Sequence, residues 1–295
     1  AYFLAKATLA KDSTHIDIES DFLLLRLNAN SDFKSVKTSL KKHINSYFLS
    51  PQISNNHISK KVIADADLVL KNAPIFSDFL LKDFNNFEPI TLRMSFDEAQ
   101  EKLNINTQIP QLKYQKSSIK NAALVLESNK QDFKLQMDVN NIDYAPIYIE
   151  SLNLSGKVIN ETMYVNFSAL DHEKKIVNIQ AEVVKDKNVT RVYVNPNKLI
   201  LNRNLWSIPE NNAIEFTELG VTSSNFELSR NQQKLVFEAD INKENNQKLH
   251  FDFKQFNLAN MLSFLNPEKE ISSCVVEGYL DVLNNKQTTL VSDIN

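Results

Sequence analysis

The chain has 295 residues, 42% of them hydrophobic, with 33 Lys and Arg against 36 Asp and Glu. So even a balance provides no basic field to hold phosphates, which excludes a nucleic-acid partner from the reading. Three unclustered glycines, at 156, 220 and 278, exclude glycine-rich phosphate loops, and one cysteine, Cys274, excludes an intrachain disulfide or a multi-cysteine metal site. With Val275 and Val276 beside it, Cys274 reads as a buried thiol. No apolar run approaches the ~18–20 residues that would span a bilayer. The opening Ala1-Tyr2-Phe3-Leu4 carries neither an initiator Met nor a signal pattern, as expected of a piece of a longer chain whose anchor lies elsewhere.

In chain order, the first element is a strand over Phe22–Ala29, with Leu23, Leu25, Leu27 and Ala29 on one face. Ser31 or Asp32 can cap a following helix in which Phe33, Val36, Leu40, Ile44 and Phe48 recur at helical spacing. Lys34, Lys37, Lys41 and Lys42 form its solvated face. A second strand alternates Val62, Ala64, Ala66, Leu68 and Leu70 with Asp65, Asp67 and Lys71. Pro74 then suits the first turn of a short helix through Ile75, Phe76, Phe79, Leu80 and Phe84. From about residue 88 the period stays near two. Leu92, Met94 and Phe96 are followed by Phe133, Leu135, Met137 and Val139, then Leu152 and Leu154, Val165 and Phe167, and Phe251 and Phe253. Leu249–Val282 reads as a strand, a short helix at Leu258–Leu265 and a strand bearing Gly278.

Such alternation predicts strands with one apolar and one wet face, about fifteen to eighteen of them, with Asn, Asp and Lys making turns such as Asn245-Asn246 and Asn284-Asn285. The class is mainly β: a long curved sheet with a few short helices. Residues 1–295 read as one continuous segment with possible sub-units 1–87 and 88–295.

The side chains that could carry chemistry do not assemble into a motif. No two of His15, His43, His57, His172 and His250 stand three or four residues apart, so no helical metal pair exists. His172 lies in a charged hairpin tip, and His250 reads as a surface or edge position. Asp65 and Asp67 share a strand face with Lys61 and Lys71, the pattern of a solvated face. Asp97, Glu98 and Glu101 lack a calcium-loop pattern, and Cys274 has no neighbouring His. Four sequons stand at Asn153, Asn160, Asn166 and Asn188. The reading is non-enzymatic, with no cofactor and no metal.

Two segments carry a resemblance. One runs from Lys198 through Trp206, Ile208 and Asn212 to Ile214 and Phe216. The other holds Phe256-Asn-Leu-Ala-Asn-Met-Leu262 and Glu277-Gly-Tyr-Leu-Asp-Val282. Together with the strand and helix around Asp32-Phe33, they resemble the periplasmic TamB proteins of the AsmA-like superfamily in their Bacteroidetes form. The low glycine count departs from that family's Gly-opened strands. The resemblance implies a β-taco, a sheet folded into an open groove, within a bridge anchored in the inner membrane and crossing the periplasm. It implies phospholipid acyl chains as cargo and an outer-membrane Omp85-type protein as partner in outer-membrane protein assembly or secretion. The candidate lining residues are Val62, Ala64, Leu68, Phe133, Leu135, Met137, Leu152, Leu154, Val165, Phe167, Phe251 and Phe253. The rival readings are a scaffold that accepts client strands at its open edges, and a surface β-sandwich for adhesion or carbohydrate binding, which an exposed aromatic cluster would favour. No such cluster is evident in the sequence.

Overall fold

The computed structural model describes residues 2–47, 60–76, 84–144, 147–186, 188–242, 246–257, 275–284 and 288–294. The protein is mainly β, as expected, and the described residues hold more strands than the pattern suggested: 22, with one helix longer than a turn. It divides into two compact units, Ala1–Glu161 and Thr162–Asn295.

Unit 1 is an antiparallel sheet built almost in chain order. Its elements are β1 (Phe3–Leu9), β2 (Thr14–Ser20), β3 (Leu23–Ala29), α1 (Phe33–Ser46), β4 (Ile63–Leu70), β5 (Phe84–Phe87), β6 (Ile90–Asp97), β7 (Lys102–Tyr114), β8 (Ser117–Ser128), β9 (Phe133–Tyr144) and β10 (Ile147–Ile159). Each strand pairs with its successor, except that β4 pairs with β6, and β5 extends the same edge of β7 beyond β6. Residues before and after 87 share one sheet through the pairing of β4 with β6. The helix anticipated through Phe84 is a single turn at Pro74–Phe76 in the described residues, and Phe84 already belongs to β5. Phe48, Phe79, Leu80, Cys274 and the helix expected at Leu258–Leu265 lie outside the described residues, as do Asn245 and Asn285.

The sheet's alternation is interrupted at one level. Asn121 and Asn141 adopt positive φ (50° and 54°), and the pairing of β8 with β9 shifts register beside each. An extra residue in a strand resets the alternation, so Ile119 and Ile142 return to the face that carries Ala122 and Val139. That is why apolar positions step by three here, Ile109 to Leu112, Ile119 to Ala122, Val139 to Ile142 and Ile149 to Leu152.

Unit 2 contains β11 (Thr162–Asp171), β12 (Lys174–Asp186), β13 (Val189–Val194), β14 (Ile200–Leu201), β15 (Asn204–Leu205), β16 (Ala213–Phe216) and β17 (Val221–Ser224). The long β12 pairs with β11 on one edge and with β13 and then β14 on the other. A second sheet runs in chain order through β18 (Phe226–Arg230), β19 (Gln233–Ile241), β20 (Gln247–Asn257), β21 (Val275–Asn284) and β22 (Thr288–Ile294). The core gathers Leu199, Trp206, Ile208 and Phe256, with Ile179, Phe226, Leu235 and Phe253 against them. Gln255 at positive φ places Phe253 and Phe256 on one face, the same device as at Asn121.

Polar side chains hold the irregular joints of unit 2. Asn212 is fully buried; its Oδ1 accepts from Val194 N (2.9 Å) and its Nδ2 donates to Val194 O (2.8 Å) and Pro209 O (2.6 Å). Gln247 does the same for β17: Oε1 accepts from Val221 N (2.6 Å), and Nε2 donates to Val221 O (2.8 Å) and Asp240 O (2.9 Å). Gly220 is needed beside it, since its φ is 146° and a Cβ would lie 2.3 Å from Gln247 Oε1. Trp206 is the chain's one tryptophan and sits in this core, so its fluorescence follows unit 2. Asn212→Ala leaves the Val194 backbone groups unpaired in a buried site, and is expected to cost about 1–3 kcal/mol. The check is a lower urea midpoint in the Trp206 transition, with the far-ultraviolet signal retained before it.

Candidate functional site

The apolar face of unit 1 is the feature that stands out. Rows of cross-strand partners run over eight strands. The first row is Thr14, Ala29, Ala64, Phe96, Leu103, Ser128, Phe133 and Val158, and every member is buried. α1 lies on it. Asp32 caps the helix, accepting from Ser35 N (3.0 Å) and Ser35 Oγ (2.6 Å), which holds its carboxyl below the usual carboxylate range. Val36, Leu40 and Ile44 pack down against Ala29, Ala64, Phe96 and Leu103, while Lys34, Lys37, Lys41 and Lys42 face water. Phe33 departs from the expected apolar stripe and is exposed. The small Ala29 and Ala64 let the helix approach, and each fully covered Leu or Ile contributes about 1.5–3 kcal/mol.

Four residues along each strand from there, two rows further on the same face, the row changes character. It holds Ile18, Leu25, Leu68, Leu92, Thr107, Leu124, Met137 and Leu154, seven of them apolar, and every member is only partly buried. Near the far end, Phe76 closes one side by packing edge-on against Phe22 (5.7 Å between ring centres) and Phe87 (5.4 Å). Between α1 and that cluster lies an apolar band that the sheet presents half-covered.

The candidate lining residues divide accordingly. Val62, Ala64 and Phe133 are buried in the ground that α1 covers. Leu68, Met137 and Leu154 share the half-covered row, with Leu135 and Leu152 in the rows on either side. Val165, Phe167, Phe251 and Phe253 belong to unit 2. Phe167 pairs with Ile179, Phe253 packs on the Trp206 core, and Phe251 stacks on Phe237 at 5.0 Å. The segment Lys198–Phe216, which carries the family resemblance, supplies that core: Trp206 N donates to Leu199 O (2.9 Å), and Ser207 bridges to Ser229.

His43 and Glu98, weighed in the sequence only as possible metal ligands, have structural places. His43 is buried on the sheet side of α1, with Nε2 2.8 Å from Ser128 Oγ and its ring edge-on to Phe96 (5.5 Å) and Tyr47 (5.3 Å). Its spacing from Val36 and Leu40 was the available signal. Glu98 Oε2 accepts from Val62 N (2.9 Å) and Ser39 Oγ (3.2 Å), tying the helix to the start of β4. His250 is a correction: β20 lies between β19 and β21, so His250 is inside the sheet rather than at its edge, with Nδ1 2.5 Å from Asp281 Oδ1. That bond, followed by Lys248, holds Asp281 below the ordinary carboxylate range. His172 is at a hairpin turn with positive φ, as expected. Asp65 and Asp67 are exposed, Asp67 3.7 Å from Arg93 in a shallow polar depression. Among the described residues no cluster of His, Cys, Asp and Glu could hold a metal ion, and no helix is long and apolar enough to cross a membrane. Exposed aromatics do occur: Tyr114, Tyr144 and Tyr148 stand at one end of unit 1, a cluster not evident from their spacing in the chain.

No family model, no curated protein and no solved structure matches the chain.

Burial lowers the pKa of His43 from its ordinary value near 6.5, against the raising pull of Glu101 and Glu98. The folded chain therefore holds His43 neutral, and the unfolded chain protonates more readily. Stability is unaffected well above pH 6.5 and falls as pH drops through 6.5 toward the lowered folded value. His43→Gln should flatten this slope between pH 7 and pH 5 in urea titrations that follow far-ultraviolet circular dichroism. An unchanged slope would remove His43 from the account.

Proposed function

We propose that this chain is a non-enzymatic, lipid-holding segment whose unit 1 sheet offers its apolar face to phospholipid acyl chains. The observation that supports it is the half-covered row of Leu25, Leu68, Leu92, Leu124, Met137 and Leu154. A sheet with one wet and one apolar face must cover the apolar one. An acyl chain gains ~0.8 kcal/mol per buried CH₂, so a few methylenes along this row offset the loss of their freedom. No proton transfer or nucleophile is needed for a tail to bind and slide on such a surface. The reading agrees with the TamB-like resemblance, in which the chain is a periplasmic part of an inner-membrane-anchored bridge that moves phospholipid toward the outer membrane and works with an Omp85-type partner. In that setting Leu68, Leu135, Met137, Leu152 and Leu154 are the lining residues in unit 1, and Val165, Phe167, Phe251 and Phe253 those in unit 2.

A second reading, a scaffold that accepts client strands, has one observation in its favour. β1 pairs with β2 alone among the described strands, and all seven of its residues are exposed.

Solvent extraction of the purified chain followed by mass spectrometry should release phospholipid in near-stoichiometric amount. Leu154→Asp, in the half-covered row, should abolish this while the chain stays folded. Leu103→Asp, beneath α1, should unfold unit 1. A wild-type chain free of lipid when purified from a lipid-replete host would sink the reading.

A further inference from the structure

We propose that the end of unit 1 farthest from α1 docks on a phospholipid bilayer through exposed tyrosines. The occupant is chosen on the lipid-holding reading above. The exposed aromatics there are Tyr2, Phe3, Tyr114, Tyr144 and Tyr148. The placement follows from register. Phe3 pairs with Ser20 at the β2 end that turns into β3, Tyr114 pairs with Ser117 across the β7–β8 turn, and Tyr144 pairs with Ile147 across the β9–β10 turn. α1 follows the opposite end of β3.

Two of these tyrosines continue the candidate site. Tyr114 is two residues beyond Leu112 and Tyr144 two beyond Ile142, so both stand on the apolar face, in its last row. They are 43% and 59% exposed, whereas Ile149 in the row behind is buried. An apolar face that runs out of a sheet through rings with hydroxyl tips has the chemistry of a membrane interface, where the ring sits among acyl carbons and the oxygen among headgroups. At the α1 end the exposed large side chains are Leu9, Phe33, Ile63 and Ile159, none with a hydroxyl.

Charge argues for the same occupant by its neutrality. Lys113, Lys116 and Lys120 near these turns stand among Glu19, Asp21, Asp143 and Glu150, so charges of both signs mix there. No single-sign field selects anionic headgroups, so the rings carry the attraction, and binding should extend to neutral lipid and persist at high salt.

The test is flotation of the 295-residue chain with phosphatidylcholine vesicles in 0.1 M and 1 M salt. The expected result is binding in both. Tyr114→Ser with Tyr144→Ser should weaken it about tenfold or more, while Phe33→Ser at the other end leaves it unchanged. A second measurement does not depend on loss of binding. Tyr144→Trp should be quenched by brominated acyl chains, whereas Trp206, buried in unit 2, should not. Absence of vesicle binding, or a Tyr144→Trp emission that brominated lipid leaves untouched, overturns the proposal. So does oligosaccharide binding at these tyrosines without vesicle binding. The two lipid readings fail separately: phospholipid extracted from a chain that ignores vesicles overturns docking alone, and vesicle binding by a chain that carries no phospholipid overturns the apolar-face reading alone.

Discussion

An antiparallel sheet with strict polar–apolar alternation has to cover one of its faces, and that constraint governs unit 1. Eight paired strands present an apolar surface that a fourteen-residue helix can cover only in part. Where α1 lies, the row from Thr14 to Val158 is wholly buried, and Ala29 and Ala64 are small because a helix sits on them. Four residues along each strand, the same kind of residue is only partly buried. Each such Leu leaves unrealised part of the ~1.5–3 kcal/mol that full burial would release. The covered rows and the partly covered ones lie on one continuous face, and the covered rows carry most of its burial.

The second governing feature is how the chain makes its joints with three glycines. Positive φ falls mostly on Asn and other polar residues at turns and bulges, Asn121, Asn141, Asn160, Asn202, Asn225 and Asn231 among them. Where the backbone leaves its ladder, a side-chain amide or carboxylate replaces the missing partner. Asn30 bonds both Ile63 N and Lys61 O, Glu98 holds Val62 N, Asn212 stands in for a strand beside Val194, and Gln247 joins Val221 to Asp240. Among the described residues no buried side-chain nitrogen or oxygen lacks a partner. The Asn-rich composition is therefore a structural device.

The alternation of Leu92, Met94 and Phe96, or of Phe133, Leu135 and Met137, was legible because period two is local and survives any arrangement of strands. The cap at Asp32 and the lysine face of α1 were legible for the same reason. The helix through Phe84 was not, since apolar residues at 75, 76, 79, 80 and 84 fit helical spacing while Phe84 answers to Tyr114 thirty residues on. His250 read as a surface or edge position; its strand is an inner one because β21, which pairs beyond it, comes after a long intervening segment. The candidate lining residues were legible as apolar, but their standing was not: Ala64 and Leu68 look alike in sequence, and only α1 separates them.

The amino-acid sequence by itself determined the class, the one-sided strands and the cap of the helix, because each rests on residues within a turn or two of one another. The tertiary structure decided the rest. It set the division after Glu161, the rows that align eight strands, the bulges that keep Ile119 and Ile142 on the apolar face, and the burial of His43 against Ser128. It also decided which apolar residues are covered and which tyrosines are exposed. Coverage depends on contacts between residues far apart in the chain, and alternation within a strand carries no information about what will lie over it.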